Sequence, residues 1–205
     1  MERLKITLWI VFFLVPTGRG RLNDPLSAEE FESIFAKVYS LSTAASFDIK
    51  TTEAQHYRRF LLQQRVAERK LGIDAGSEPG KATDAIGRAP RGLNDGKGFV
   101  FISHKGEVFP SGFLPLTAGN IREKELAAIY RDSPLFRDLR DTSKLEGKCG
   151  SCEFKEICGG SRARAYALTG NANAEEPCCA YIPRGYIQFP LKEKKSLLLH
   201  VLQGA

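Results

Sequence analysis

Hydrophobic positions along this chain of 205 residues change their period several times, and each change marks an element. The run Ile6-Thr-Leu-Trp-Ile-Val-Phe-Phe-Leu-Val-Pro16 is apolar almost throughout and rich in β-branched and aromatic residues. It predicts a strand over 5–16, buried on both faces as in a parallel sheet. The glycine-rich turn Thr17-Gly18-Arg19-Gly20 follows. Pro25-Leu26-Ser27 opens a helix in which Ser27 and Glu30 have capping-box spacing. Phe31, Ile34, Phe35, Val38 and Tyr39 then fall on one helical stripe. Residues 46–52 read as a short strand and 53–71 as a second, more polar helix. Strand–helix–strand–helix order predicts a parallel sheet covered by helices, hence an α/β unit.

Periodicity fades over 72–97, where Gly, Ala, Asp and Pro accumulate, and this stretch reads as a linker. Gly98-Phe-Val-Phe-Ile102, a turn at His104-Lys-Gly106 and Glu107-Val-Phe109 predict a short hairpin. Helices are expected at 122–131 and 133–140. A loop-rich segment with one short helix near 160–169 follows, and a helical tail lies within 186–205. A βα unit this small leaves its most apolar strand without enough cover or edge pairing. That points to a partner or to a preceding N-terminal half.

Thirty Lys and Arg stand against 24 Asp and Glu, a net charge of +6. The charges are dispersed, and no basic stripe is interleaved with aromatics, so nucleic acid is not an expected partner. The N-terminal apolar run follows Arg3 and Lys5 and imitates an export signal. Glu2 and the lack of a small-residue cleavage site argue against that, and the run is too short to span a bilayer. No membrane partner is expected, and the chain is expected to be cytoplasmic.

All five cysteines lie in Cys149-Gly-Ser-Cys152-Glu-Phe-Lys-Glu-Ile-Cys158-Gly-Gly-Ser and Pro177-Cys178-Cys179-Ala-Tyr. An odd number, clustered at such short spacing, suits a reduced metal site better than a disulfide framework. Thiols from two close turns and one return segment can surround an iron–sulfur cluster or a zinc ion, and spacing does not choose between them. Gly159 and Gly160 would let backbone approach that metal. Arg162 and Arg164 open the next helix, where they either hold an anionic ligand or pair with acids. Gly18 and Arg19 follow the first strand directly, where glycines allow close approach to a ligand and an arginine can meet a carboxylate, though a plain strand–helix turn explains them equally. Lys50, Glu53, Arg58 and Arg59 follow the next strand in the same geometry.

The segment Cys149-x2-Cys152-x5-Cys158-Gly-Gly-Ser-Arg-Ala-Arg-Ala-Tyr, with Thr169-Gly170 and Glu176-Pro177-x-Cys179-Ala-Tyr, resembles the auxiliary-cluster domain of radical SAM proteins, the SPASM type and its shortened twitch-like relatives. The look-alikes are radical SAM enzymes of haem and haem d1 biosynthesis and peptide maturases. Phe12-Phe-Leu-Val-Pro-Thr-Gly-Arg-Gly20 and Lys50-Thr-Thr-Glu53 are similar to the last strands of the barrel in that group.

The resemblance implies an α/β chain, α+β overall. Residues 1–72 would be the C-terminal part of a parallel βα barrel, 73–97 a linker, 98–184 a SPASM-like domain and 185–205 a tail. It implies one auxiliary [4Fe–4S] cluster on Cys149, Cys152, Cys158 and Cys179. Cys178 competes for the fourth place, but Cys179 holds the family position before Ala-Tyr, which would leave Cys178 a spare buried thiol. Gly18, Arg19, Lys50, Glu53, Arg162 and Arg164 become candidate contacts for substrate or S-adenosylmethionine. Ser111 and Arg162 stand where further cysteines would serve a second cluster. The CxxxCxxC motif that cleaves S-adenosylmethionine is absent from this sequence. The resemblance thus implies an N-terminal half or split partner, a porphyrin-like or peptide substrate, an electron-donor protein, and no radical catalysis by this chain alone. The competing reading is a stand-alone iron–sulfur or zinc module without catalysis.

Overall fold

The computed structural model describes residues 4–20, 26–73 and 93–187. The first part runs through β1 (Leu8–Phe12), α1 (Ala28–Ala44), β2 (Asp48–Thr52) and α2 (Tyr57–Lys70). β1 and β2 pair in parallel, from Leu8 opposite Asp48 to Phe12 opposite Thr52. The Phe13 amide adds one rung by donating to the Thr52 carbonyl at 3.0 Å. The strand is shorter than the apolar run, because its partner β2 spans only five residues.

The Ser27/Glu30 capping box forms as the spacing predicts: the Glu30 amide donates to Ser27 Oγ at 3.2 Å and the Ser27 amide to Glu30 Oε2 at 2.7 Å. That cap satisfies two amides the helix would otherwise leave open. Phe31, Phe35 and Val38 of α1 meet Phe13, Tyr57 and Phe60 in one core, which also takes in Cys178. α2 begins at Tyr57 rather than near 53. Glu53 has φ +58°, a left-handed conformation that ends the strand and delays the helix.

Cover on both faces of β1, expected from its composition, is not what the described residues provide. Ile10, Phe12 and Leu14 alternate along the strand and are 48%, 53% and 40% exposed, whereas Phe13 and Val15 are buried. The side-chain period of two separates these sets. The helices cover one face, and on the other the Phe12 ring meets Phe113 edge-on at 5.2 Å.

The second part contains β3 (Phe101–Ile102), β4 (Glu107–Phe109), β5 (Gly119–Asn120), α3 (Leu126–Asp132), α4 (Pro134–Arg140), a 3₁₀ turn (Thr142–Lys144), α5 (Gly147–Gly150) and α6 (Arg162–Thr169). The hairpin is present, and β5 makes it a three-stranded antiparallel sheet in the order β3-β4-β5. α3 starts later than residue 122, because the amides of Glu123 and Lys124 both turn back onto the Asn120 carbonyl. The end of the expected linker is ordered: Asn94 and Lys97 form a β-bridge. Residues 74–92 of that linker, and the tail from 188, lie outside the described residues. Val15, Leu114, Leu139 and Ala163 join the two parts in a second core. The fold is mixed α/β. Among the described residues no helix is long and apolar enough to cross a membrane.

Candidate metal centre

Four short devices bring the cysteines together. Cys149 lies on α5, a single helical turn. Cys152 and Cys158 sit in the following turns, where the Cys152 amide donates to the Cys149 carbonyl and the Cys158 amide to the Phe154 carbonyl. Gly159 and Gly160, both at φ +66°, then reverse the chain. A side chain at Gly160 would start 2.6 Å from Arg162 Nη2, 2.8 Å from Glu176 Cβ and 3.6 Å from Cys149 Sγ. Only glycine fits that crowded left-handed position. Cys179 arrives on the return segment, and its carbonyl accepts from Lys148 Nζ.

Three of these four sulfurs accept a main-chain N–H, and the fourth, on Cys179, faces the Arg59 guanidinium. The Glu176 amide donates to Cys149 Sγ at 3.2 Å, and the Phe154 and Gly160 amides donate at 3.4 Å to Cys152 and Cys158. Cys178 sits instead among the aromatic rings of the first core. The thiols also lie within electrostatic range of one another, Cys178 of Cys179 included. Cys149 senses Cys152, Cys152 senses Cys179, and Cys158 senses both Cys149 and Cys179. Burial raises the pKa of each as a free thiol, that of Cys158 to about 12. Such thiols become thiolates only with a cation to bind. Among the described residues no three His, Cys, Asp or Glu side chains are drawn onto single-ion geometry. Grouped soft donors, each with an N–H to its sulfur, fit an iron–sulfur cluster, whose potential such bonds tune.

Guanidinium groups surround the thiols. Arg59 places Nη2 4.0 Å from Cys179 Sγ. Arg58 donates to the carbonyls of Leu93 at 2.6 Å and Ile157 at 3.1 Å, with Cys158 within electrostatic range. Arg162 is almost wholly buried, donates through Nη1 to the carbonyls of Ala172 and Ala174, and leaves Nε and Nη2 without a partner. Arg164 is fully buried. It binds the Glu176 carboxylate at 3.2 Å, stacks 4.9 Å over Phe31, and donates to the carbonyls of Leu14 and Glu53. Burial opposes the Glu176 charge, but Arg164 and the Ser161 and Cys178 amides hold its pKa below the usual carboxylate range. Ser161 Oγ donates to Glu53 Oε2 at 2.7 Å. Burial, with Asp95 nearby, pushes the Glu53 pKa up to about 7.

Of the candidate contacts, Glu53, Arg162 and Arg164 thus meet in one buried network beside the thiols. Gly18 and Arg19 lie exposed on the turn after β1, and Lys50 is half-buried on β2 opposite Ile10. Asn94 and Asp95 were missed, because they fall in a stretch with the composition of a linker. Asn94 Nδ2 donates to the Gly160 carbonyl at 2.8 Å, and Asp95 accepts from the Ala163 amide at 3.0 Å. The turn-forming Asn94-Asp95-Gly96 is the one sequence signal that marks them. His56 carries no motif, yet it is fully buried between Phe31 and Phe35, and burial lowers its pKa to about 4.

Residues 94–153, which include Cys149 and Cys152, match SPASM, an iron–sulfur cluster-binding domain. The chain carries such a domain and matches the C-terminal portion of radical SAM/SPASM proteins. It is 44% identical over 182 residues to the AdoMet-dependent heme synthase of Methanosarcina barkeri, covering 89% of this chain and 50% of that protein. Against the enzyme of the same name from Nitratidesulfovibrio vulgaris it is 40% identical over 185 residues, 89% of this chain and 48% of that one. A PqqA peptide cyclase of Methylocella silvestris is 39% identical over 99 residues, 47% of this chain and 26% of the cyclase. The chain spans about half the length of the heme synthases it matches.

Proposed function

We propose that this chain is the C-terminal part of a radical SAM/SPASM oxidoreductase that binds one auxiliary [4Fe–4S] cluster on Cys149, Cys152, Cys158 and Cys179. The observation that carries this reading is the set of N–H···S contacts around these thiols, three from main-chain amides and one from Arg59, with Cys178 left in the core. A single cluster is supported by the place where a second would need ligands. There Ser111 is buried and its hydroxyl accepts from the Phe113 amide, and Arg162 is buried with its Nη1 on the carbonyls of Ala172 and Ala174. On this reading residues 1–72 complete a βα barrel, 73–97 link it to a domain over 98–184, and 185–205 form a tail. The open face of β1, with Ile10, Phe12 and Leu14, is where the rest of the barrel packs.

A cluster bound here supplies a one-electron acceptor or an anchor for substrate. The protein's own residues do the rest. The Phe154, Gly160 and Glu176 amides orient three of the sulfurs and offset their charge. Glu53, Arg164 and Glu176 fasten the end of β2 to the loop carrying Cys149, so the barrel mouth and the cluster domain hold one relative position. Gly18 and Arg19 sit at the mouth, where an arginine can meet a substrate carboxylate. The substrate is porphyrin-like, in line with the heme synthases, rather than a peptide. S-adenosylmethionine cleavage belongs to an N-terminal half or split partner bearing CxxxCxxC, with an electron-donor protein serving it. The enzyme works in the cytoplasm.

Reading the DNA upstream of Met1 in frame tests the assignment to a larger enzyme. We expect an open frame encoding CxxxCxxC and further barrel strands, or a neighbouring gene that encodes them. A stop codon before Met1 with no such motif nearby would leave a cluster-binding module instead.

A further inference from the structure

Three guanidinium groups face the thiols, but they are not equivalent. Arg58 spends its donors on two carbonyls, and Arg162 is held by two others. Lys148, the other cation near Cys179, donates to its carbonyl and not to its sulfur. Arg59 alone reaches a sulfur with one nitrogen and a carboxylate with the same guanidinium. Its Nη2 pairs with Glu32 Oε1 and lies 4.0 Å from Cys179 Sγ, while Nη1 donates to Glu32 Oε2 at 3.0 Å and to Gln63 at 2.9 Å. The same group lies 5.2 Å over the ring of Tyr181. Arg59 is 4% exposed, so water screens its charge poorly. The Glu32 side chain is 27% exposed and can be neutralised without opening the core.

A cation and an N–H donor beside a cluster ligand stabilise the more negative, reduced state and raise its potential. A carboxylate on the same cation offsets that effect. Resting on the ligand set proposed above, we propose that Arg59 is a positioning residue that raises the reduction potential of the cluster through Cys179, and that Glu32 limits how much of its charge the sulfur experiences. The helix α2 thus reaches from the barrel segment to tune a group held by the cysteine domain. Nothing in the cysteine motif itself encodes this. It depends on Arg59 and Glu32 meeting across α1 and α2.

The test is a redox titration of the anaerobically reconstituted chain, with dithionite as the one-electron reductant and electron paramagnetic resonance as the readout. Iron per chain is counted in the same samples. Arg59→Gln should make reduction about tenfold less favourable, a shift of about 59 mV to lower potential for one electron. Glu32→Gln, which breaks the same ion pair from the other side, should shift the potential upward. Arg59→Lys should fall between wild type and Arg59→Gln, since lysine keeps the charge and loses the planar fork. A purely structural ion pair would leave both potentials unmoved or move them the same way, and either result overturns the proposal. If Arg59→Gln fails to load iron, an unshifted potential in Glu32→Gln is sufficient to reject it. Wild-type protein that loads no iron would instead remove the ligand set on which the proposal rests.

Discussion

Single residues carry the coupling between the two parts of the chain, and Glu53 does so at a cost that depends on pH. Its left-handed backbone aims the carboxylate at Ser161, and its carbonyl takes a donor from Arg164. Burial and the neighbouring Asp95 raise its pKa from 4.5 to about 7. In the unfolded chain the group ionises near the lower value. Stability is therefore full below that pH and is lost progressively as pH rises toward about 7, by on the order of 3 kcal/mol. Glu53→Gln should flatten this slope and raise the thermal midpoint near neutral pH. Thermal melts of both proteins from pH 4.5 to 7.5 check it, and parallel curves would show that Glu53 keeps its charge in the fold. The presence of Glu53 at a strand end was legible in the sequence. Its inward direction was not, because a positive φ on a non-glycine residue leaves no compositional trace.

Elements divide in the same way. The α1 stripe and capping box are local signals, so the sequence placed that helix closely, and Phe35 at its centre is fully buried against His56, Tyr57 and Phe60. Phe35→Ala should cost about 3–5 kcal/mol, read as a lower denaturant midpoint with an unchanged slope. A loss below about 1 kcal/mol would mean that α1 does not organise this core. β5 escaped notice because two residues, Gly119 and Asn120, cannot display a period. The ordered piece of the linker escaped because Asn94 and Asp95 are fixed by partners 66 and 68 residues away. The cysteine loop was legible, since its spacing is a local property. The arginines around it were named as candidates, but their division into Arg58 on carbonyls, Arg59 on Cys179 and Glu32, and Arg164 on Glu176 depends on tertiary contacts.

At the scale of the whole molecule, the cluster loop, the buried Arg164–Glu176 pair and the parallel strands form one connected structure. Removing one partner of a buried pair leaves an uncompensated charge, so the site and the fold are maintained together. The open face of β1 belongs to the same picture, for an apolar strand is covered in a complete parallel sheet. The central claim is that Cys149, Cys152, Cys158 and Cys179 hold a single four-iron cluster. It is tested most directly by counting iron, sulfide and zinc in the anaerobically reconstituted chain beside Cys152→Ala and Cys178→Ala. We predict about four irons and four sulfides per chain with visible absorbance in the wild type and Cys178→Ala, and loss of both in Cys152→Ala. Stoichiometric zinc in place of iron, or an unchanged iron content in Cys152→Ala, would contradict it.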